Sequence, residues 1–342
     1  MRRLISRIIG APESGLVLVV VIVAVVLTVL AGSHLDRRTG EMVNSFWNSN
    51  TLIQVATDAS FFAIMAIGAT NVIISGGIDL SVGSIYALSG VMMAIVLRGN
   101  THGAGAVLLG LVVCLGVGLL CGLLNGVLVV GLRVHPFIIT LGTMWILRGI
   151  AFVATKAESI LVPSSLTSLA KASLGLHTGL YPVPMICMIG FAILGSLYLT
   201  RTVMGRHIFA FGGNLEASRF AGLPLSRIQI GVFAVSGLTA GIAAFLGASF
   251  YGSASSADGQ GYELYVIAAA VVGGASLIGG KGSSIGAMLG AVLIVLIRQS
   301  IRTLHFDQNY EWIVIGCAII IAVVIDQWNA RMTAARLTRQ AR

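Results

Sequence analysis

The sequence predicts an all-α, polytopic membrane helix bundle of about ten transmembrane helices, and three observations point to it. Of the 342 residues, 57% are hydrophobic and 10% are charged, against roughly 25% charged in soluble domains, so too little polar side chain exists to cover a water-facing surface. The apolar residues gather into runs of a length that crosses a bilayer. Gly is 43 of the residues and Pro only 6, a balance that fits closely packed membrane helices and not disorder. These features exclude a cytosolic enzyme, a collagenous chain and a disordered regulator. Nucleic acid is excluded as a partner despite the net charge of +9, because the 21 Lys and Arg form no basic face among interleaved aromatics.

The N-tail, 1–14, carries Arg2, Arg3 and Arg7 ahead of an uncharged run from Gly15 to Gly32. That run is longer than the core of a cleaved leader and reads as a retained first helix with its basic end in the cytoplasm. Further apolar stretches follow near 51–75, 81–97, 105–132, 137–155, 183–200, 228–249, 265–278, 284–301 and 312–328, within a single transmembrane domain, 15–328. Positive charge sets the orientation. Arg201, Arg206, Arg219 and Arg227 lie in the connection 201–227, and Arg331, Arg336, Arg339 and Arg342 in the basic C-tail, 329–342, whereas 250–264 has no Lys or Arg. Six spans before 201–227 and four after it place that connection and both termini on the cytoplasmic face.

Two places predict broken helices, near 76–83 and 279–284. Ser81 to Leu97 is 17 residues, about 25 Å of helix, short of the roughly 30 Å hydrocarbon core, so the polar, glycine-rich run before it must dip into the bilayer. Residues 266–278 are likewise short and run into Gly279-Gly280-Lys281-Gly282-Ser283. Non-helical backbone at that depth is tolerated against protein or a water-filled cavity, so one break in each half points to a transport pathway.

Gly118, Gly122 and Gly126, Gly237 and Gly241, and Gly282, Gly286 and Gly290 each line one helix face and predict close helix packing, within the chain or with another subunit. Asp79 and Ser81 precede a helix and either can cap it; Asp79 is also placed by the polar route. Asp58, Asn71 and Asn125 are polar groups inside spans and should face the protein interior or a cavity. Gly76 and Gly77, with Asp58, Asn71, Asp79, Ser81 and Asn125, complete the candidate pathway set. Asn214 to Phe220 predicts a short surface helix ended by Gly222 and Pro224, and Phe209, Phe211 and Phe220 are expected to be exposed there as a docking patch. Gly279 to Ser283 is not a phosphate loop, since Ala275 and Gly282 stand where Gly and Ser or Thr are required. Neither paired carboxylates nor a nucleophile elbow is present, so no catalytic residue is predicted; the scattered histidines and cysteines predict no metal site and no disulfide framework.

The stretches GATNVIISGGIDLSVG, GLLNGVLVVGLRVHPFIITLGTMWILRG, MGRHIFAFGGNLEASRFAGL and VIAAAVVGGASLIGGKGSSIGAMLGA, spread over most of 65–295, resemble the signature stretches of the ribose-type permeases of bacterial ABC sugar importers. The resemblance implies a permease with no cofactor of its own, ATP and Mg belonging to a partner. Its implied partners are an ATP-binding-cassette ATPase, a periplasmic solute-binding protein, a second permease chain in a homodimer or heterodimer, and the lipid bilayer. It also implies that Gly205, Arg206, Gly212, Asn214, Glu216, Ala217, Arg219 and Gly222 belong to a coupling element that contacts the ATPase, with Ser218 departing from the alanine of many relatives. From the residues alone, an ion-coupled secondary transporter and a membrane subunit that moves nothing stay open as alternatives.

Overall fold

The computed structural model describes residues 13–35, 40–99, 103–175, 181–321, 324 and 327. Arg2, Arg3 and Arg7, the tail 329–342 with its four arginines, and most of 322–328 lie outside the described residues. The elements run α1 (Ser14–Leu30), β1 (Ser33–Leu35), β2 (Met42–Asn44), α2 (Ser49–Ile74), α3 (Val82–Leu97), α4 (Gly103–Leu132), α5 (Pro136–Thr155) and β3 (Ile160–Leu161). They continue with α6 (Ser164–Ala170), α7 (Val183–Arg201), α8 (Val203–Gly213), α9 (Leu215–Phe220), α10 (Leu225–Tyr251), β4 (Ser253–Ala254), α11 (Tyr262–Val272), α12 (Ser284–Thr303) and α13 (Tyr310–Ile321). Antiparallel pairing of β1 with β2 and of β3 with β4 makes two small ladders in an otherwise helical protein.

Six helices are long and apolar enough to span a bilayer and four more apolar helices are shorter, which agrees with the expected number among the described residues. Six of these precede α8 and four follow α9, as the charge argument requires. The connections hold more helix than the sequence predicts: α6 falls in 156–182 and α8 in 201–227, both too short and too polar to show as spans.

Helices α2 and α10 form the axis of the bundle, each with 72% of its most apolar window buried, against 28% for α4 and α5 and 22% for α7. The peripheral helices turn large side chains outward, as at Leu120, Ile146 and Val153, where lipid solvates them as well as a protein core would. Association therefore depends on small residues that let backbones close together. A methyl group at Gly118 or Gly122 of α4 would collide with the Gly237 or Phe233 carbonyl of α10, and one at Gly286 of α12 with the Gly273 carbonyl. The glycine stripes are thus contacts within one chain. Gly122→Ala should lower stability by about 1–3 kcal/mol through overpacking, whereas Gly131→Ala, with open space around it, should not; thermal unfolding of the detergent-purified variants checks both.

Candidate functional site

Helix α2 stops because Gly76 takes φ +79°, a conformation that disfavours any residue with a Cβ. The Gly76 amide donates to the Ile73 carbonyl and the Gly77 amide to the Val72 carbonyl, both at 2.9 Å, which is the Schellman pattern of helix termination. The second break ends α11 in the same way: Gly274 has φ +92°, and the Gly274 and Ala275 amides donate to the Val271 and Ala270 carbonyls at 2.9 Å. The non-helical stretch runs from 273 to 283, so it begins earlier than the expected 279–284. The Ser283 hydroxyl then caps α12 by accepting from the Gly286 amide at 3.2 Å.

Within the first break, a buried cluster forms around Asp79. One carboxylate oxygen accepts from the Ser81 amide at 2.9 Å and the Ser81 hydroxyl at 2.6 Å, and the other accepts from the Ser236 hydroxyl of α10 at 2.8 Å. The Asn125 amide of α4 donates to the Ser81 hydroxyl at 2.7 Å, and Thr140 of α5 donates to the Ile78 carbonyl at 3.1 Å. The carboxylate thereby ties an irregular segment to α10 directly and to α4 through Ser81. Ser81 occupies the N-cap position of α3 but makes no side-chain cap, correcting that expectation, because its hydroxyl is already committed to Asp79. Asn71 instead donates to its own helix, to the Ile67 and Gly68 carbonyls, and its side-chain oxygen is buried with no hydrogen-bond partner among the described residues. Ser236 went unnoticed in the sequence, being one hydroxyl in an apolar span. It lies eleven residues into α10, about 16 Å along the helix axis.

The 203–222 segment folds as a two-helix bracket. Thr202 caps α8 by accepting from the Gly205 amide at 3.0 Å, and Gly205, Ile208 and Phe211 face the bundle while Arg206 faces out. Asn214 caps α9 by accepting from the Ala217 amide at 2.9 Å, with Glu216 in its first turn and Arg219 in its last, each matching the helix dipole. Gly222, at φ +74°, and Leu223 close α9 with a third Schellman pattern onto the Arg219 and Ser218 carbonyls. The expected aromatic patch is smaller than predicted. Phe220 is 90% exposed, but Phe211 is buried and Phe209 half-buried, because α8 is a helix with an inward face and not an open loop.

Backbone contact joins the bracket to both breaks. The Gly280 amide donates to the Ile74 carbonyl at 2.8 Å, and Gly212 packs so closely that a Cβ there would overlap the Ile74 carbonyl and sit 2.8 Å from the Gly280 nitrogen. The two irregular segments, one from each half of the chain, meet beneath α8.

At the opposite end of the bundle a cavity of about 480 Å³ opens between α2, α10 and α12. Phe61, Phe62, Tyr181, Phe250, Tyr251 and Tyr262 form its walls, with Asn50, Gln54, Thr57, Asp58, Arg298 and Arg302 between them. The Tyr251 hydroxyl donates to Asp58 at 3.1 Å, and Arg302 lies 4.0 Å from the same carboxylate. Arg298 pairs with Glu311 at 2.6 Å, and the Tyr265 hydroxyl also donates to Glu311. Of the candidate pathway residues, Asp58 lines this cavity. Gly76 and Gly77 line another, of about 880 Å³, at the bracket end with Arg133, His135 and Arg219. Asn71, Asp79, Ser81 and Asn125 are buried and line neither cavity. Sequence reasoning missed Arg298 and Arg302; the available signal was two arginines four residues apart, hence on one face, at the end of an apolar span.

The loop 252–261, within the connection 250–264 that has no Lys or Arg, folds back onto the protein. Gly259 packs against Gly83 and Tyr86, and buried Arg148 of α5 donates to the Ser256 carbonyl at 2.8 Å and to the Asp258 carbonyl. Arg148→Met should cost about 1–3 kcal/mol by leaving those carbonyls unpaired, read as a lower unfolding midpoint and faster proteolysis within 252–261.

The family described as branched-chain amino acid transport system, permease component, matches residues 51–323. The ribose import permease protein RbsC of Haemophilus influenzae is 37% identical over 290 residues, covering 84% of this chain and 88% of that one. The fructose import permease protein FrcC of Rhizobium meliloti is 32% identical, covering 84% of this chain and 81% of its own. The D-allose transport system permease protein AlsC of Escherichia coli is 34% identical, covering 82% of this chain and 85% of its own. No solved structure matches.

Proposed function

Since the chain belongs to the permease-component family of these transport systems, we propose that it is the membrane-spanning permease subunit of an ATP-binding-cassette importer. Its solute is a monosaccharide or a similar polyhydroxylated compound, the class carried in the names of its relatives. In this reading the chain works in a bacterial inner membrane with both termini, the N-tail 1–14 and the C-tail 329–342, in the cytoplasm. An ATP-binding-cassette ATPase holding ATP and Mg docks at 203–222, a periplasmic binding protein delivers solute to the opposite end, and a second permease chain completes the pathway. The permease itself contributes no catalytic group.

The observation that carries the reading is the bracket, capped at both helices, exposed along α9 and joined by backbone to both broken helices. Closure of an ATPase dimer would move α9. Because α8 continues from it across Asn214, and Gly212 contacts Ile74 and Gly280, that displacement reaches both breaks without needing a flexible link. The ATPase changes the populations of outward-open and inward-open states by binding them with different affinity. Asp58 and the Gly76-Gly77 segment border the two ends of the route, and Asp79, Ser81, Asn125 and Asn71 hold its middle in register.

Glu216→Lys tests the docking. It places a cation in the first turn of α9, where the dipole disfavours it, and inverts the charge offered to the ATPase. Uptake by the assembled importer should fall at least tenfold with normal membrane insertion and continued ATP hydrolysis; unchanged uptake would remove the docking assignment. Uptake by this chain alone in liposomes under a proton or sodium gradient would replace the reading with the ion-coupled one.

A further inference from the structure

The cavity of about 880 Å³ at the bracket end gathers cations without a carboxylate among the residues that line it. Arg133, in the turn between α4 and α5, and Arg219, in the last turn of α9, both line it. Among the described residues neither guanidinium is paired with a carboxylate, and both arginines are exposed, so a soluble ion can reach them. Helices α5 and α10 begin on the same wall, at Pro136 and Leu225, and their positive ends add to the two charges. Pro224 gives α10 no side-chain cap, and Ser226 and Gln229, early in that helix, line the cavity as further donors. His135 accepts from the Phe137 amide through Nδ1 at 3.3 Å, which leaves its Nε2 as a donor. Arg133 stands at φ +55°, where glycine would sit without strain, so its side chain is held there at a conformational cost.

We propose that this cavity is a regulatory site for a phosphate monoester, and that its occupant holds the bracket against the body of the permease. A guanidinium meets phosphate oxygens through two parallel N–H···O bonds, so two arginines beside uncapped helix amides suit a terminal phosphate. The volume lies within the roughly 300–1,000 Å³ of small-molecule sites and leaves room for the organic body of an ester. The consequence follows from where the two arginines sit. Arg133 belongs to a turn between two spanning helices, whereas Arg219 rides on α9, the element whose displacement the function inferred above requires. An anion between them opposes that displacement and favours the state in which bracket and turn are close. The proposal rests on that function and adds its regulation. A neutral polyhydroxylated solute has no group for this site until phosphoryl transfer from ATP to one of its hydroxyls supplies one, releasing ADP and a proton in the cytoplasm. The site would therefore slow intake when that ester accumulates.

The test titrates the full-length permease, in phosphatidylcholine nanodiscs, with D-ribose 5-phosphate by calorimetry, at a constant ionic strength set with chloride. Binding should saturate at one ester per chain, and Arg133→Gly and Arg219→Gln should each weaken it about tenfold. Arg133→Gly removes the side chain and the strain together, so it should unfold no earlier than the wild type, and its lost affinity is then not misfolding. The assembled importer is next placed in proteoliposomes, with ATP and the ester in the lumen on the cytoplasmic side. D-ribose, D-fructose or D-allose is supplied outside with the binding protein. Uptake should slow at least threefold relative to the same vesicles without ester, and Arg133→Gly should escape the slowing. Arg133-dependent slowing by phosphatidate in the bilayer, in place of the soluble ester, keeps the phosphate assignment and moves its source to a lipid headgroup. The proposal is overturned if neither source slows uptake through Arg133, as when an acidic segment of the ATPase fills the cavity, or if ester binding survives Arg133→Gly. Uptake without ester tests the import function by itself, and its presence leaves that function standing whichever way the ester experiments fall.

Discussion

Gly212→Val is expected to lower ATP-driven uptake more than tenfold, the largest effect of any single substitution in the bracket. A Cβ at this position overlaps the Ile74 carbonyl, at the end of α2, and crowds the Gly280 nitrogen in the second break. These are backbone atoms and cannot rotate away, so α8 must lift from both. Overpacking of this kind costs about 1–3 kcal/mol. The loss should appear as uptake falling further than ATP hydrolysis, because α9 still presents its docking surface while its displacement no longer reaches the breaks. Gly213→Ala, whose new methyl meets open space one residue later, should retain uptake. Wild-type uptake by Gly212→Val would show that force passes elsewhere.

Asp79→Ala is expected to have the second largest effect. It strands the Ser81 amide, the Ser81 hydroxyl and the Ser236 hydroxyl, all buried donors that share this carboxylate, at roughly 1–3 kcal/mol for each group left unsatisfied. Water has little access there, so the segment between Gly77 and Ser81 should detach from α10. Asp79→Asn keeps one acceptor oxygen and should be milder, and Ser236→Ala, which removes one donor, milder still. Transport should fall at least tenfold in Asp79→Ala while membrane yield falls less. Equal falls in both would make Asp79 a fixture of the scaffold with no part in the route.

The helix count, the parity about 201–227 and the two breaks were legible in the sequence because each follows from a one-dimensional constraint: apolar run length, charge asymmetry, or glycine where a helix must stop. Glycine stripes announced close packing, but their partner faces, such as Gly122 against Phe233, needed three dimensions. Helix α8 was hidden because its 11 residues are too few for a span and include Arg206 and His207, while Gly205, Ile208 and Phe211 gather on one inward face. The same amphipathicity buries Phe211, which sequence reasoning had left exposed. Asp79 and Ser81 were chosen together as cap candidates in the glycine-rich run and Asn125 separately as a polar group inside a span, and the structure joins them; the choice could not foresee Ser236, since an isolated hydroxyl in an apolar span carries no pattern. Asp58 was legible as an acid in a span, but the aromatic cavity around it is assembled from α2, α10, α11 and α12, whose convergence no local motif encodes.

The central claim is that the 203–222 bracket faces the cytoplasm and receives the ATPase. A single cysteine at Phe220, in a chain whose four native cysteines are replaced by alanine or serine, tests it most directly. A membrane-impermeant maleimide should leave this cysteine unmodified in intact cells, should modify it in inverted membrane vesicles, and should be blocked there when the ATPase is bound. Modification from outside intact cells would invert the topology and contradict the account.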